Sequence, residues 1–178
     1  MDTQQIVLTV LAFAVLLAIF FIKEAINKKK GESGEDMEKI RRVVAKLLPD
    51  SASYTVAYAY YQKKKYAGNR TTTYYYHYAI AFKPGALFVA PITYDDGELG
   101  YKSGAVLTKE NLGQVKLDGA ETVLFDKTGK QLCIIRVDAS NTRQGKYEPF
   151  NVQQKEQADA YNAFLKAFAG EINAASGC

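Results

Sequence analysis

Thr72–Phe82 reads TTYYYHYAIAF, with its large apolar residues on alternate positions. Even numbers hold Thr72, Tyr74, Tyr76, Tyr78, Ile80 and Phe82, and odd numbers include Thr73, His77 and Ala79. A period of two marks a β-strand, because successive side chains point to opposite sides of a sheet. The preceding run repeats the pattern. In Tyr54–Tyr61, Tyr54, Val56, Tyr58 and Tyr60 alternate with Thr55, Ala57 and Ala59. Two such runs predict half-buried antiparallel strands, with most even-numbered tyrosines in the core.

Outward from this pair the same logic continues. Lys83-Pro84-Gly85 reads as a turn, and Ala86–Thr93 as a third strand with Pro91 near its end. Asp95–Gly100, DDGELG, reads as an acidic loop, with Asp95, Asp96 and Glu98 as a solvated cluster. Shorter strands are predicted around Gly104–Leu107, Leu112–Leu117, Thr122–Phe125 and Leu132–Val137. In Phe125–Leu132, FDKTGKQL, a Gly late in a short polar loop signals a hairpin. Asp138–Asn151 is polar and carries Gly145 and Pro149. Val152–Asn173 then changes period: Ala158, Tyr161, Phe164, Leu165, Phe168 and Ile172 form one helical stripe. Upstream, Asp36–Leu48 is a second amphipathic helix, with Met37, Ile40, Val43, Val44, Leu47 and Leu48 on one face and Pro49 as its stop. Its apolar stripe is expected to pack on the β body.

The amino-terminal part has another character. Ile6–Ile22, IVLTVLAFAVLLAIFFI, contains no charge, and Thr9 is its only polar residue. With its neighbours, about 20 residues at about 1.5 Å each match the thickness of a bilayer's hydrocarbon core. A core helix would show a polar stripe, and a secretion signal a basic start and a small-residue cleavage site; neither is present. Lys23, Lys28, Lys29 and Lys30 follow the run, while Asp2 precedes it. These juxtamembrane cations predict a single-pass cell-membrane protein, N-terminus outside and C-terminal part cytoplasmic. The chain thus divides into an anchor (1–27, span about 4–22), a linker (28–35), a short amphipathic helix (36–50), a β body with its closing helix (51–173) and a tail (174–178).

Charge is unevenly placed. The net +4 conceals an acid-free interval from Ser51 to Tyr94 that carries Lys63, Lys64, Lys65, Arg70 and Lys83. Four of these five fall in Gln62–Arg70, QKKKYAGNR, which reads as the connection between the first two strands. Three ammonium groups and a guanidinium so close together make a local positive potential. They are the candidate binding residues, for an anionic lipid surface or a protein partner. The 13 tyrosines, with no Trp, offer a second candidate patch: Tyr75 with Tyr61 or Tyr66, since Tyr is enriched at interfaces.

The order of elements, about seven strands in consecutive hairpins closed by one C-terminal helix, resembles the pleckstrin-homology-like superfold. It is similar in particular to bacterial members tethered to a membrane span. The resemblance covers roughly Tyr54–Asn173 and rests on element order and on hairpins such as FDKTGKQL. It implies an α+β, mostly antiparallel fold: a partly open barrel of two nearly orthogonal sheets, plugged by the final helix. Phe164 or Phe168 would fill the volume of the Trp common in eukaryotic members. In pleckstrin-homology domains the first hairpin loop binds phosphoinositide headgroups, and Lys63, Lys64, Lys65 and Arg70 occupy the matching region.

Signals for catalysis are missing from the sequence. His77, the single histidine, sits between Tyr76 and Tyr78 on a strand and reads as structural. Cys133 lies inside an apolar run, and Cys178 ends the chain. No phosphate-cradling glycine motif, metalloprotease signature or paired-cysteine spacing occurs. The expectation is a non-catalytic, membrane-tethered interaction module without cofactor, metal or nucleic-acid partner. The alternatives are an accessory subunit of a membrane complex and a barrel that binds a small ligand.

Overall fold

A computed structural model describes residues 34–95, 98–142, 147 and 149–177. The expected span, Lys23, Lys28, Lys29, Lys30 and Cys178 lie outside the described residues. Among those described, no helix is long and apolar enough to cross a membrane.

The fold is α+β and mostly antiparallel. Among the described residues helix α1 covers 34–47, so the chain is already helical two residues before the Asp36 start that the spacing predicts, and a 3-10 turn follows at Ser51–Ser53. Strands β1 (Thr55–Ala67), β2 (Arg70–Lys83) and β3 (Ala86–Asp95) form a meander, extended by β4 (Glu98–Tyr101); β5 (Ala105–Leu107) also pairs with β3. Strands β6 (Leu112–Asp118), β7 (Glu121–Asp126) and β8 (Gln131–Ile135) make a separate three-stranded sheet. Two-residue strands β9 (Ser140–Asn141) and β10 (Val152–Gln153) pair ahead of helix α2, Lys155–Ala175.

Four sequence expectations are corrected here. Residues 62–67 are not a connection: β1 runs on to Ala67, and only Gly68 and Asn69 turn the chain. Gly68 takes φ +57°, a conformation open to Gly at little cost, so the polar lysines ride on a regular strand. The acidic stretch is not all loop, because Glu98 pairs with Asp95 and Leu99 with Tyr94 to start β4. Val152 begins a strand rather than the last helix. The described strands number ten, not about seven; the sheets they form are not closed.

The half-buried expectation is also corrected. At the inner ends of β1, β2 and β3 both faces are covered, so alternation sorts residues between two cores. On one side Ala57, Ala59, Tyr78, Ile80, Phe82, Leu87 and Val89 meet the second sheet and the α2 stripe of Ala158, Tyr161, Leu165, Phe168 and Ile172. On the other side Tyr58, Ala79, Ala81, Phe88 and Ala90 meet Met37, Ile40, Val43 and Val44 of α1. The small Ala residues allow helix and sheet to approach, and each fully buried large side chain contributes roughly 1.5–3 kcal/mol.

Side-chain amides finish the sheet edges. The Tyr58 N–H donates to Gln154 Oε1 at 2.8 Å, and Gln154 Nε2 donates to the Tyr58 carbonyl at 2.8 Å and the Asp138 carbonyl at 2.9 Å. Gln154 holds the N-cap position of α2 yet makes no side-chain cap bond, because its amide serves β1 instead. At the far end of α2, Asn173 does the same for β6: it accepts from the Val115 N–H and donates to the Val115 carbonyl, both at 3.0 Å. One backbone bridge, Tyr60 with Arg136, ties β1 to the end of the second sheet.

Candidate interaction site

The β1–β2 hairpin outruns the body. Residues 63–67 of β1 are all exposed, as are residues 70–72 and Tyr74 of β2. Five residue pairs past Gln62, at about 3.4 Å each, make an arm of roughly 17 Å. Alternation with hydroxyl-bearing residues keeps it soluble: Lys63 pairs with Tyr74, Lys64 with Thr73 and Lys65 with Thr72, and Arg70 closes the turn opposite Ala67.

The structure therefore brings the four expected site cations together on one ribbon, with neither β1 nor β2 containing an acid. Lys83, the fifth cation of the acid-free interval, is at the other end. Its Nζ lies 3.0 Å from Asp50 Oδ2 and 4.3 Å from the centre of the Tyr54 ring. That ion pair holds the Asp50 carboxyl below, and the Lys83 ammonium above, its ordinary range. Among the described residues none of the four arm cations forms an ion pair.

The tyrosines divide differently from the expectation. Tyr58 and Tyr78 are buried, but Tyr74 and Tyr76 are 45% and 42% exposed despite their even numbers. The strand simply extends past both cores. Tyr66 is exposed at the arm's end, while Tyr61 stacks on Tyr76 with ring centres 6.1 Å apart. Tyr75 stacks on Tyr147 at 5.6 Å, and the strand register puts it on the same face of the arm as Tyr66 and on the opposite face from Tyr61.

A cavity of about 600 Å³ opens at the root of the arm, lined in part by Tyr75, His77, Ile92, Tyr94, Tyr147 and Pro149. It lies on the α1 side of the five-stranded sheet, not between the sheets where a barrel ligand is expected. His77 stands in its wall with Nδ1 2.7 Å from the Tyr58 hydroxyl, and Phe150 packs against both rings. Burial pushes the His77 pKa down, opposed by a hydrogen bond to the Tyr147 backbone. The folded chain thus favours neutral imidazole, and the unfolded chain binds the extra proton first. Stability is full above the ordinary histidine value of 6.5 and falls as pH drops below it toward the folded pKa. Asp50 and Asp126, whose carboxyls are held low, titrate in a more acid range. Urea midpoints between about pH 7.5 and about pH 5 are expected to fall for the native chain and to flatten for His77→Gln. Equal slopes for the two would exclude His77 as the source.

Other candidate chemistry is dispersed. Cys133 packs at the edge of the core, and burial pushes its thiol up to about 11. Among the described residues no three His, Cys, Asp or Glu side chains converge as a metal site. Arg136, Asp138 and Tyr60 form a chain of bonds at the junction of the sheets: Arg136 Nε to Asp138 Oδ1 at 2.8 Å, and the Tyr60 hydroxyl to Asp138 Oδ2 at 2.7 Å. This chain sits beside the only bridge between the sheets in the described residues and fixes that corner.

No match ties the chain to a known group. Compared with family models, curated proteins and solved structures, it is similar to none of them.

Proposed function

We propose that this chain is a membrane-tethered, non-catalytic interaction module that sets its basic arm against the anionic leaflet of the membrane holding it. One observation carries the reading: four exposed cations without ion pairs among the described residues stand on a projecting, acid-free hairpin. The tether is the apolar run 6–22, and the lysines behind it place the body on the cytoplasmic side. Two antiparallel sheets with a helix packed across them support a pleckstrin-homology-like architecture, in which the first hairpin is the arm. Each basic residue held close to an anionic leaflet contributes about 1 kcal/mol. Because the anchor already keeps the body near lipid, this contact orients the module rather than recruiting it. In that posture the body presents its remaining surface to cytoplasmic or membrane-embedded protein partners, with no cofactor and no nucleic acid in the role.

Sidedness tests the reading with the chain's own thiols. The Cys133 thiol is partly buried, and that burial holds it protonated, which makes it slow toward maleimides and leaves Cys178 as the reporter. In intact cells a membrane-impermeant maleimide is expected to leave Cys178 unlabelled, and permeabilisation to label it. Labelling in intact cells reverses the orientation and removes the proposed contact with the cytoplasmic leaflet. Recovery of the unaltered chain in a detergent-free supernatant removes the tether itself.

A further inference from the structure

Strand register divides the arm into two unlike faces. Residues opposite each other on β1 and β2 share a face. Lys63 therefore stands with Tyr74, Lys65 with Thr72, Tyr61 with Tyr76 and Arg70 with Ala67. Gln62, Lys64 and Tyr66 stand on the opposite face with Tyr75, Thr73 and Thr71. The first face gathers three cations and the exposed rings of Tyr74 and Tyr76. The second holds one cation, the exposed Tyr66 beside the turn, and Tyr75, whose ring stacks on Tyr147.

Resting on the leaflet reading above, we infer that the arm meets anionic lipid by the first face alone. Lys63, Lys65 and Arg70 contact the lipid phosphates, and Tyr74 and Tyr76 seat at headgroup level. Lys64 and Tyr66 turn to water. Charge complementarity selects an anionic occupant, since three cations share this face with no acid among the β1 and β2 residues. The tyrosines select a lipid surface. Their rings are apolar, their hydroxyls need water or a phosphate oxygen, and the bilayer interface supplies both environments at one depth. Three lysines that are neighbours in sequence thus act unequally, because a strand cannot point adjacent side chains the same way.

Footprinting of the full chain separates this inference from the reading beneath it. The protein is reconstituted into phosphatidylcholine vesicles with and without phosphatidylglycerol. It is then treated with water-soluble lysine-acylating and tyrosine-iodinating reagents and read residue by residue by mass spectrometry. Anionic lipid is expected to slow acylation of Lys63 and Lys65 by about fivefold, with a salt-reversible fall in iodination of Tyr74 and Tyr76. Lys64 and Tyr66 keep the rates seen in neutral vesicles. Equal protection of all three lysines, or protection of Lys64 alone, overturns the face assignment and leaves the leaflet reading standing. Absence of protection at every arm residue overturns both. In the double variant K63E/K65E, Tyr74 and Tyr76 are expected to lose their protection. Both substituted side chains are exposed, so persistence of that protection also overturns the assignment.

Discussion

Replacing Gln154 with leucine is expected to destabilise the fold by about 3–5 kcal/mol, because three backbone groups lose their partner at once. The Tyr58 N–H, the Tyr58 carbonyl and the Asp138 carbonyl all bond this amide, which is 2% exposed. A buried polar group left unsatisfied costs roughly 1–3 kcal/mol, and leucine supplies neither donor nor acceptor. Such a loss is a large share of the 5–15 kcal/mol typical of a native domain. The urea midpoint falls with its slope unchanged, and the melting temperature drops by roughly 10 °C or more. Gln154→Glu fares no better, since it keeps one acceptor, removes both donations and buries a charge between two carbonyls. Asn173→Leu makes the same cut at Val115 but at a part-buried edge that water reaches, so about 1–2 kcal/mol is expected there. A Gln154→Leu effect below about 1 kcal/mol would mean that the amide is not what closes the edge of β1.

Alanine in place of Lys63, Lys64 and Lys65 is expected to weaken binding to anionic vesicles between roughly 30- and 150-fold. The range follows from two or three lysines at about 1 kcal/mol each, with about 1.4 kcal/mol for a factor of ten. Flotation of the segment 34–178, which carries both cores without the apolar run, measures this free of the anchor's own lipid affinity. The unaltered segment should float with phosphatidylglycerol vesicles at low salt, sink as salt rises past the screening length, and ignore neutral vesicles. The triple variant should stay at the bottom throughout. Indifference of the native segment to anionic lipid would move the arm's role to an acidic protein partner. In that event capture of the full chain from detergent-solubilised membranes would return a stoichiometric companion, as the accessory-subunit alternative requires.

Much of the fold is legible in local pattern. The two-residue period of residues 54–61 and 72–82 marks the first hairpin, and Pro84-Gly85 marks its turn into β3. FDKTGKQL forms its hairpin because Asp126 Oδ1 accepts from the backbone N–H groups of Thr128 and Lys130, a local arrangement that needs nothing distant. The stripe from Ala158 to Ile172 names the α2 face correctly, except that Phe164 is only partly buried. The charge asymmetry is equally plain, because it is a property of composition.

The amino-acid order by itself thus determined the antiparallel, two-helix class, the acid-free segment and the identity of its four cations. Tertiary structure alone decided that these cations ride a strand rather than a loop, and that Lys64 faces away from Lys63 and Lys65. It also decided that Tyr74 and Tyr76 are exposed while Tyr78 is buried, since the same period of two continues past the point where the cores end. The roles of Gln154 and Asn173 were invisible for a related reason. A side-chain amide resembles any other polar residue until a strand edge 96 or 58 positions away arrives beside it. Alternation reports which side a residue points to; only the packing of distant elements determines what lies on that side.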